Sequence, residues 1–562
     1  MPKHAPKAQQ PLLSRKGVWN AYFQTRRFAL ASIALMPAPF RRIALYLCLC
    51  VALATARAAA APAKPNIIFI LADDLGVGNM SCYGADRYRT PHIDQLAAGG
   101  IRFTHGYTAP LCGPSRALIL TGRYAFRTGA TNQDATGRMK PEVETMTPKH
   151  LKAAGYVSSM IGKWGQLPLG PAEFGFDDHL RFRGSGVYWS DSQAKPEKYW
   201  VNGEERTLRE KEYLPDLMHD HLVKFLTRHR EQPFYIYYSL SHVHGELQPT
   251  PDSAAKPKDL MADNIAYMDK LVGKLVAELD RLRLREKTLL IFMGDNGTGK
   301  AWADQGTIGG RQLSGSKGTM LEGGAHVPLI ANWPGVTPAG RVSHDLVDST
   351  DFVPTFAELA GVKLKPTNVI DGRSFAPQLR GEPGRARQWI FIELARNWYA
   401  REANWKLTEK GELFDMSDSP FTEKLVAATA ETDASKAARA RLATALAHLN
   451  PADGILDDGD GTGRHANKDK KAMKKGATPP APATPDAKPA PKAEAPPVDP
   501  TLAERAAKFD RLDKDKRGKL TREEYISRQS DPEAAAKRFD KFDVNKDGVV
   551  TREEYLANGA KK

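Results

Sequence analysis

Cysteine is scarce, with four in 562 residues. Cys48 and Cys50 fall in an N-terminal leader, which leaves Cys82 and Cys112 for the body of the protein. A framework of several disulfides is excluded, and so is a thiolate-rich metal cluster. Long apolar runs are also missing. The longest near the N-terminus, residues 43–54, falls short of the roughly 20 residues of a membrane span. It follows Arg41-Arg42 and precedes Ala56-Arg57-Ala58, a small-x-small cleavage pattern, so it reads as a secretory signal peptide. Translation starts at Met1 or at Met36, which opens a leader of ordinary length. Arg26-Arg27 resembles a twin-arginine signal only weakly, and bulky Leu47 disfavours lipoprotein processing at Cys48. Acidic residues are absent from residues 1–60, which hold nine Lys and Arg. The net charge of +15, less those nine, leaves +6, and another basic cluster lies at 464–475. The body is therefore not strongly basic, and nucleic acid is excluded as a partner.

What is present is an alternation of apolar runs and helical patterns. Residues 66–71 (NIIFIL), 234–240 and 288–293 (TLLIFM) have strand length and are apolar throughout, as in a sheet covered on both faces. Between the last two, Ile265, Met268, Leu271, Val272, Leu275, Val276 and Leu279 recur at helical spacing and form a core face. This predicts a doubly wound α/β domain, whose ligands gather at the carboxyl ends of strands. Asp73, Asp74 and Asp295 fall immediately after two of the runs. Residues 451–500, rich in Lys, Pro, Gly and Ala, read as a disordered linker.

Residues 501–562 contain a duplication at an offset of 30, seen in Phe509/Phe539 and Asp513/Asp543. It resembles an EF-hand pair, an all-α module. The second loop offers oxygen ligands from Asp543, Asn545, Asp547, the backbone carbonyl of Val549, Thr551 and Glu554, with Gly548 at the sharp turn, a set that suits calcium. The first offers Asp513, Asp515, the carbonyl of Lys519 and Glu524, but Arg517 replaces an oxygen ligand and opposes a cation. Calcium is expected in the second loop, and the first is left open.

The most specific run is Cys112-Gly113-Pro114-Ser115-Arg116, followed by Leu120-Thr121-Gly122-Arg123. C-x-P-S-R with L-T-G-R resembles the signature of type I sulfatases, within the alkaline phosphatase superfamily. The resemblance runs from about residue 65 to 449. It implies a mixed doubly wound sheet at 65–368 and a smaller α+β subdomain at 369–450, after an N-terminal extension and signal at 1–58. It also implies that a formylglycine-generating enzyme oxidises Cys112 to an aldehyde, whose hydrate carries the attacking hydroxyl and has an exit by re-forming the carbonyl. Asp73 and Asp74 in NIIFILADDLG, Asp295 and Asn296 in Asp295-Asn296-Gly297, and residue 112 itself would hold a divalent ion. Hard oxygen donors favour calcium, with magnesium the runner-up.

The resemblance further assigns sulfate-oxygen contacts to Lys163 and Lys317, a metal-site contact to Arg116, and protonation of the leaving alcohol to His244. His242 would stand behind it. One position departs from the family pattern: Gly162-Lys163-Trp164 continues with Gly165, where a histidine is usual. Either His242 or Gln166 with a water substitutes, or turnover is slow, or the protein binds sulfate esters without turnover. The implied function is an exported sulfatase, periplasmic or secreted, acting on a sulfated carbohydrate, with no transmembrane span after signal cleavage. The alternatives are a phosphodiester or phosphonate ester hydrolase of the same superfamily and an inactive sulfoglycan-binding protein.

Overall fold

A computed structural model describes residues 64–464, apart from 166–168, 191–196 and 366, together with parts of 509–555. The leader with its signal and alternative start lies outside the described residues, as do Asp515, Asn545 and Glu554. The chain divides into two compact units at Ala477/Thr478. No helix among the described residues is long and apolar enough to cross a membrane.

The three apolar runs form strands, labelled in chain order: β1 (Asn66–Ala72), β2 (Ile101–Tyr107), β3 (Val157–Lys163), β4 (Asp178–Phe182), β5 (Lys198–Val201), β6 (Glu204–Thr207), β7 (Phe234–Ser239), β8 (Thr288–Gly294), the small hairpin β9 (Thr307–Ile308) and β10 (Arg311–Gln312), β11 (His326–Asn332) and β12 (Arg341–Asp348). All but the hairpin join one ten-stranded sheet, in the order β12-β2-β11-β8-β1-β7-β3-β4-β5-β6. Its centre, β8 through β4, is parallel; β11 runs antiparallel to β8 and β2, and β5 and β6 add an antiparallel edge. The sheet is thus mixed, as expected.

Successive residues of a strand point to opposite faces, so β1 must be apolar at every position to be covered twice. Ile67, Phe69 and Leu71 belong to one core, and Ile68, Ile70 and Ala72 to the other. On the first face lie α1 (Pro91–Ala98)'s successor α2 (Cys112–Thr121) and α5 (Phe352–Leu359); on the second, α1 itself, α3 (Leu214–Arg228) and α4 (Leu260–Arg281). Helix α4 carries the predicted stripe, and the Asp259 side chain caps its first turn through Ala262 N at 3.1 Å.

The C-terminal subdomain is a five-stranded antiparallel sheet: β13 (Ile390–Leu394), β14 (Asn397–Arg401), β15 (Trp405–Thr408), β16 (Leu413–Asp415) and β17 (Lys424–Leu425). Helix α6 (Asp433–Leu449) sets Leu442 against Ala400, Leu407 and Leu413. Buried polar contacts tie it to the main sheet: Arg401 pairs with Glu322, which also accepts a hydrogen bond from Tyr107 Oη at 2.8 Å.

Residues 451–464 depart from the expected linker, whose remainder, 465–500, lies outside the described residues. The 451–464 strap runs along the main unit, with Asp457 only 2% exposed. Its carboxylate accepts hydrogen bonds from Thr131 Oγ1 (3.1 Å) and Asn132 Nδ2, and Ile455 N donates to Phe126 O at 2.7 Å.

In the second unit, β18 (Lys519–Thr521) pairs antiparallel with β19 (Val549–Thr551), Leu520 facing Val550. Phe509, Phe539, Tyr525 and Tyr555 pack around that ladder. The ladder therefore brings the described parts of the two predicted loops side by side. Asp543 accepts from Asp547 N (3.1 Å) and Gly548 N (3.0 Å), and Glu524 accepts from Thr521 N at 3.0 Å. Asp513 is buried at the matching start of the first loop.

Candidate active site

Register places the site. Ala72 pairs with Gly294, so Asp73 and Asp295 leave adjacent strands at the same level. Gly162 pairs with Ser239, so Lys163 and the segment after β7 emerge beside them. Asp73 N donates to His242 O at 2.7 Å, and Asp295 N to Ala72 O at 2.9 Å. Four parallel strands thus deliver Asp73, Asp74, Lys163, His244 and Asp295 to one carboxyl edge, where open α/β sheets bind ligands.

Cys112 opens the first turn of α2, a helix buried along its whole length. Ser115 Oγ donates to Ala109 O and Leu111 O, both at 2.8 Å, and fixes the entry. Gly122, at φ +70°, ends the helix in the left-handed conformation that glycine tolerates best. Arg116, one turn along, is 1% exposed. Its Nε and Nη2 donate to Asp295 Oδ2 at 3.1 and 2.7 Å, and Nη1 donates to Lys163 O at 3.0 Å and to Ser239 Oγ.

Ligand atoms of Asp73, Cys112 and Asp295 lie within 4.8 Å of one another, as do those of Asp73, Asp74 and His244. Asn296 Nδ2 donates to Asp74 Oδ1 (2.9 Å) and Gly297 O (2.8 Å), which identifies Oδ1 as the oxygen facing away. The Oδ1 of Asn296 itself is buried with no hydrogen-bond partner. A buried acceptor left unpaired is costly, and a cation among these carboxylates satisfies it. The donor set is all hard oxygen at Asp73, Asp74, Asp295 and Asn296, and it fits a divalent ion of the calcium or magnesium kind.

The electrostatics point the same way. Burial is the largest influence and opposes the Asp73 charge, but Lys163, with Nζ 2.7 Å from Oδ2, together with His244 and Arg116 holds the carboxyl below its usual range. Burial likewise opposes the Lys163 ammonium, and Asp73 keeps it raised. For Asp295, burial and the neighbouring Asp73 charge win over Arg116 and push the carboxyl up. A bound cation would reverse that push. Lys317 Nζ stands 2.7 Å from Asp74 Oδ2, and its ammonium is held above its ordinary range against burial.

His244 Nε2 lies 3.8 Å from Asp74 Oδ2. His242 does not join this group. It is fully buried among Tyr188, Tyr213 and Tyr267, with Nε2 2.9 Å from Tyr213 Oη, and burial alone pushes its ring down to about 3. It is a neutral packing histidine and does not replace the family histidine at 165. Gln166 lies outside the described residues. Gly165 itself has φ +87°, and a Cβ there would meet only Arg116 Cδ, at 3.5 Å. The space is open, but the backbone is one that a side chain rarely adopts.

A cavity of about 200 Å³ opens over Cys112, lined also by Leu111, Gln133, Ser185, His244, Lys317 and Arg464. Gln133 escaped the sequence reading. Its Oε1 accepts from Gly113 N at 2.9 Å and from Cys112 Sγ at 3.3 Å. Nothing in Asn132-Gln133-Asp134 marks it, because only the fold brings it back to the start of α2. Cys82 is unpaired and partly buried against the core, and burial pushes its thiol up to about 12.

The chain is similar to known proteins. The family profile described as Sulfatase matches residues 65–362, one described as N-sulphoglucosamine sulphohydrolase, C-terminal, matches 315–410, and one described as EF-hand domain pair matches 505–558. The chain is 35% identical over 349 residues to N-acetylgalactosamine-6-sulfatase of Canis lupus familiaris, covering 57% of this chain and 67% of that one. It is 34% identical over 368 residues to arylsulfatase A of Homo sapiens, covering 58% and 70%. Among solved structures, Ps i-CgsB in complex with k-i-k-neocarrahexaose superimposes with a TM-score of 0.61 at 26% identity, over 74% of this chain and 97% of that one.

Proposed function

This chain belongs to the sulfatase family and is a sulfuric ester hydrolase, and on that footing we propose that it is an exported enzyme cleaving sulfate monoesters of a carbohydrate at Cys112. The observation that carries this is the gathering of Cys112, Asp73 and Asp295 at one strand edge, with Lys163, Lys317 and His244 around them. Oxidised to formylglycine, residue 112 supplies a hydrated-aldehyde hydroxyl for attack on sulfur, with an exit by re-forming the carbonyl. A divalent ion held by Asp73, Asp74, Asp295 and Asn296 supplies Lewis acidity, calcium being the better fit and magnesium the second.

The chain's own residues do the rest. Arg116 fixes the Asp295 carboxylate through two hydrogen bonds and, being buried, cannot swing away. Lys163 and Lys317 would supply two ammonium groups to sulfate oxygens as these gain charge. His244, whose Nε2 lies 3.8 Å from Asp74 Oδ2, would pass a proton to the leaving alcohol, since a sugar alkoxide leaves poorly at neutral pH. Gln133 Oε1 orients the group at residue 112 and has no proton to give.

The saccharide class draws support from the bound neocarrahexaose of Ps i-CgsB and from the sulfatase relatives named above. Export rests on the signal pattern at 41–58, and a formylglycine-generating enzyme is the partner that maturation requires. Calcium in the second EF-hand loop, held by Asp543, Asn545, Asp547, the Val549 carbonyl and Glu554, is part of the same proposal, with a weaker site at Asp513, Asp515, Lys519 and Glu524. The test is release of sulfate against phosphate from matched aryl esters by protein matured with that partner. Sulfate release that Cys112→Ala abolishes is expected. Phosphate release exceeding sulfate, or activity surviving in the variant, contradicts the proposal.

A further inference from the structure

The strap at 451–464 brings one cation to the catalytic cavity that neither the metal site nor the sulfate contacts use. Gln133 N donates to Gly463 O at 2.8 Å, so the strap is tied to the residue that touches Cys112. Gly463 packs so closely on Leu394 that a Cβ there would come within 2.5 Å of it. Thr462 Oγ1 accepts from Arg464 N at 3.2 Å. Upstream, Arg396 Nε donates to Asp457 O at 3.0 Å, and buried Asp457 is held by Thr131 and Asn132. The backbone of Arg464 is therefore fixed beside the cavity that its side chain lines.

Its guanidinium lies along the Gly318 backbone, with Nη2 3.3 Å and Nε 3.7 Å from where a Cβ of residue 318 would stand. Lys317, the preceding residue, holds Asp74. Among the described residues no carboxylate pairs with Arg464, although the lysines of the site stand on Asp73 and Asp74. The cavity of about 200 Å³ is lined by Arg464 together with Cys112 and His244. A sulfate ester seated at Cys112 therefore occupies a cavity that the Arg464 side chain also lines.

We propose that Arg464 is a specificity-determining residue that binds a second anionic group, a carboxylate or another sulfate, on the sugar that leaves. This rests on the sulfatase reading above. Planar oxyanions suit a guanidinium because they accept two parallel hydrogen bonds. The strap fixes the backbone in advance, so less ordering is needed when substrate binds.

The test compares three probes on formylglycine-bearing protein: a hexose monosulfate, the same hexose with a second sulfate, and a hexose monosulfate linked to a uronic acid. The wild type is expected to prefer one or both doubly anionic probes by roughly tenfold or more in kcat/KM, the range of a charge-assisted hydrogen bond. Which probe is preferred distinguishes sulfate from carboxylate. Arg464→Ala is expected to collapse that ratio, and Arg464→Lys to restore part of it. A wild type without preference, or a ratio unchanged in Arg464→Ala, overturns the proposal. Should no probe release sulfate, the sulfatase reading fails instead. Calorimetric binding of the disulfated hexose to the unoxidised protein then decides: roughly tenfold weaker binding in Arg464→Ala supports the proposal, and equal affinity overturns it.

Discussion

Removing the Arg116 side chain tests how the site is held together. The side chain is 2% exposed, and its guanidinium makes two hydrogen bonds to Asp295, one to Lys163 O and one to Ser239 Oγ. Arg116→Met leaves the Asp295 carboxylate buried beside Asp73 with its main counter-charge gone. Breaking a buried pair from one side costs about 3–5 kcal/mol. For a unit of roughly 400 residues, with an unfolding entropy near 2 cal/mol/K per residue, that is a fall in Tm of about 4–6 °C. Asp295→Asn should do similar harm by stranding the guanidinium. The double variant buries no unpaired charge, so it should lose clearly less than the two singles together. Thermal melts of the four proteins at neutral pH, with chelator present throughout, give the cycle. Two single variants within about 1 °C of wild type, or strictly additive losses, would refute the argument that this pair is coupled and buried.

Two further predictions address other parts of the chain. Glu393 is buried, and burial pushes its carboxyl up to about 8, eased by a hydrogen bond from Phe126 N at 2.9 Å. The folded state thus holds the proton more tightly than the unfolded chain does, so this stability is present below about pH 4.5 and lost as pH rises through about 8. Glu393→Gln should flatten the fall of Tm across that window, whereas Tm–pH curves parallel to wild type would contradict it. Truncation after Pro500 removes the EF-hand pair and should leave hydrolysis of a small aryl sulfate intact. Loss of that activity in a truncated protein with an unchanged melt would contradict the separation of the two units.

The parts of the site legible in the sequence are those set by local chemistry. Continuous apolar runs announce strands covered on both faces, and acidic residues just past them fall at the ligand edge by the geometry of the parallel sheet. The edge strands β5 and β6 were not legible, because they are short, at most half-buried and carry no alternating pattern. His242 and His244 look alike in the chain, two residues apart after β7, yet one turns into a cage of tyrosines and the other toward Asp74. Only the packed aromatic cluster decides between them. The strap hid for a different reason: Gly, Asp and Thr suggest solvated chain, and its anchors at Thr131 and Asn132 are more than 300 residues distant. Long-range hydrogen bonds of that kind leave no periodic trace.

The central claim is that Cys112 is the precursor of the nucleophile. Mass spectrometry of the tryptic peptide spanning residues 103–116, from protein made alongside a formylglycine-generating enzyme, tests it most directly. The account predicts the mass of an aldehyde at position 112, with sulfate release rising in proportion to the fraction converted. An unmodified thiol under those conditions, or sulfate release independent of conversion, would contradict it.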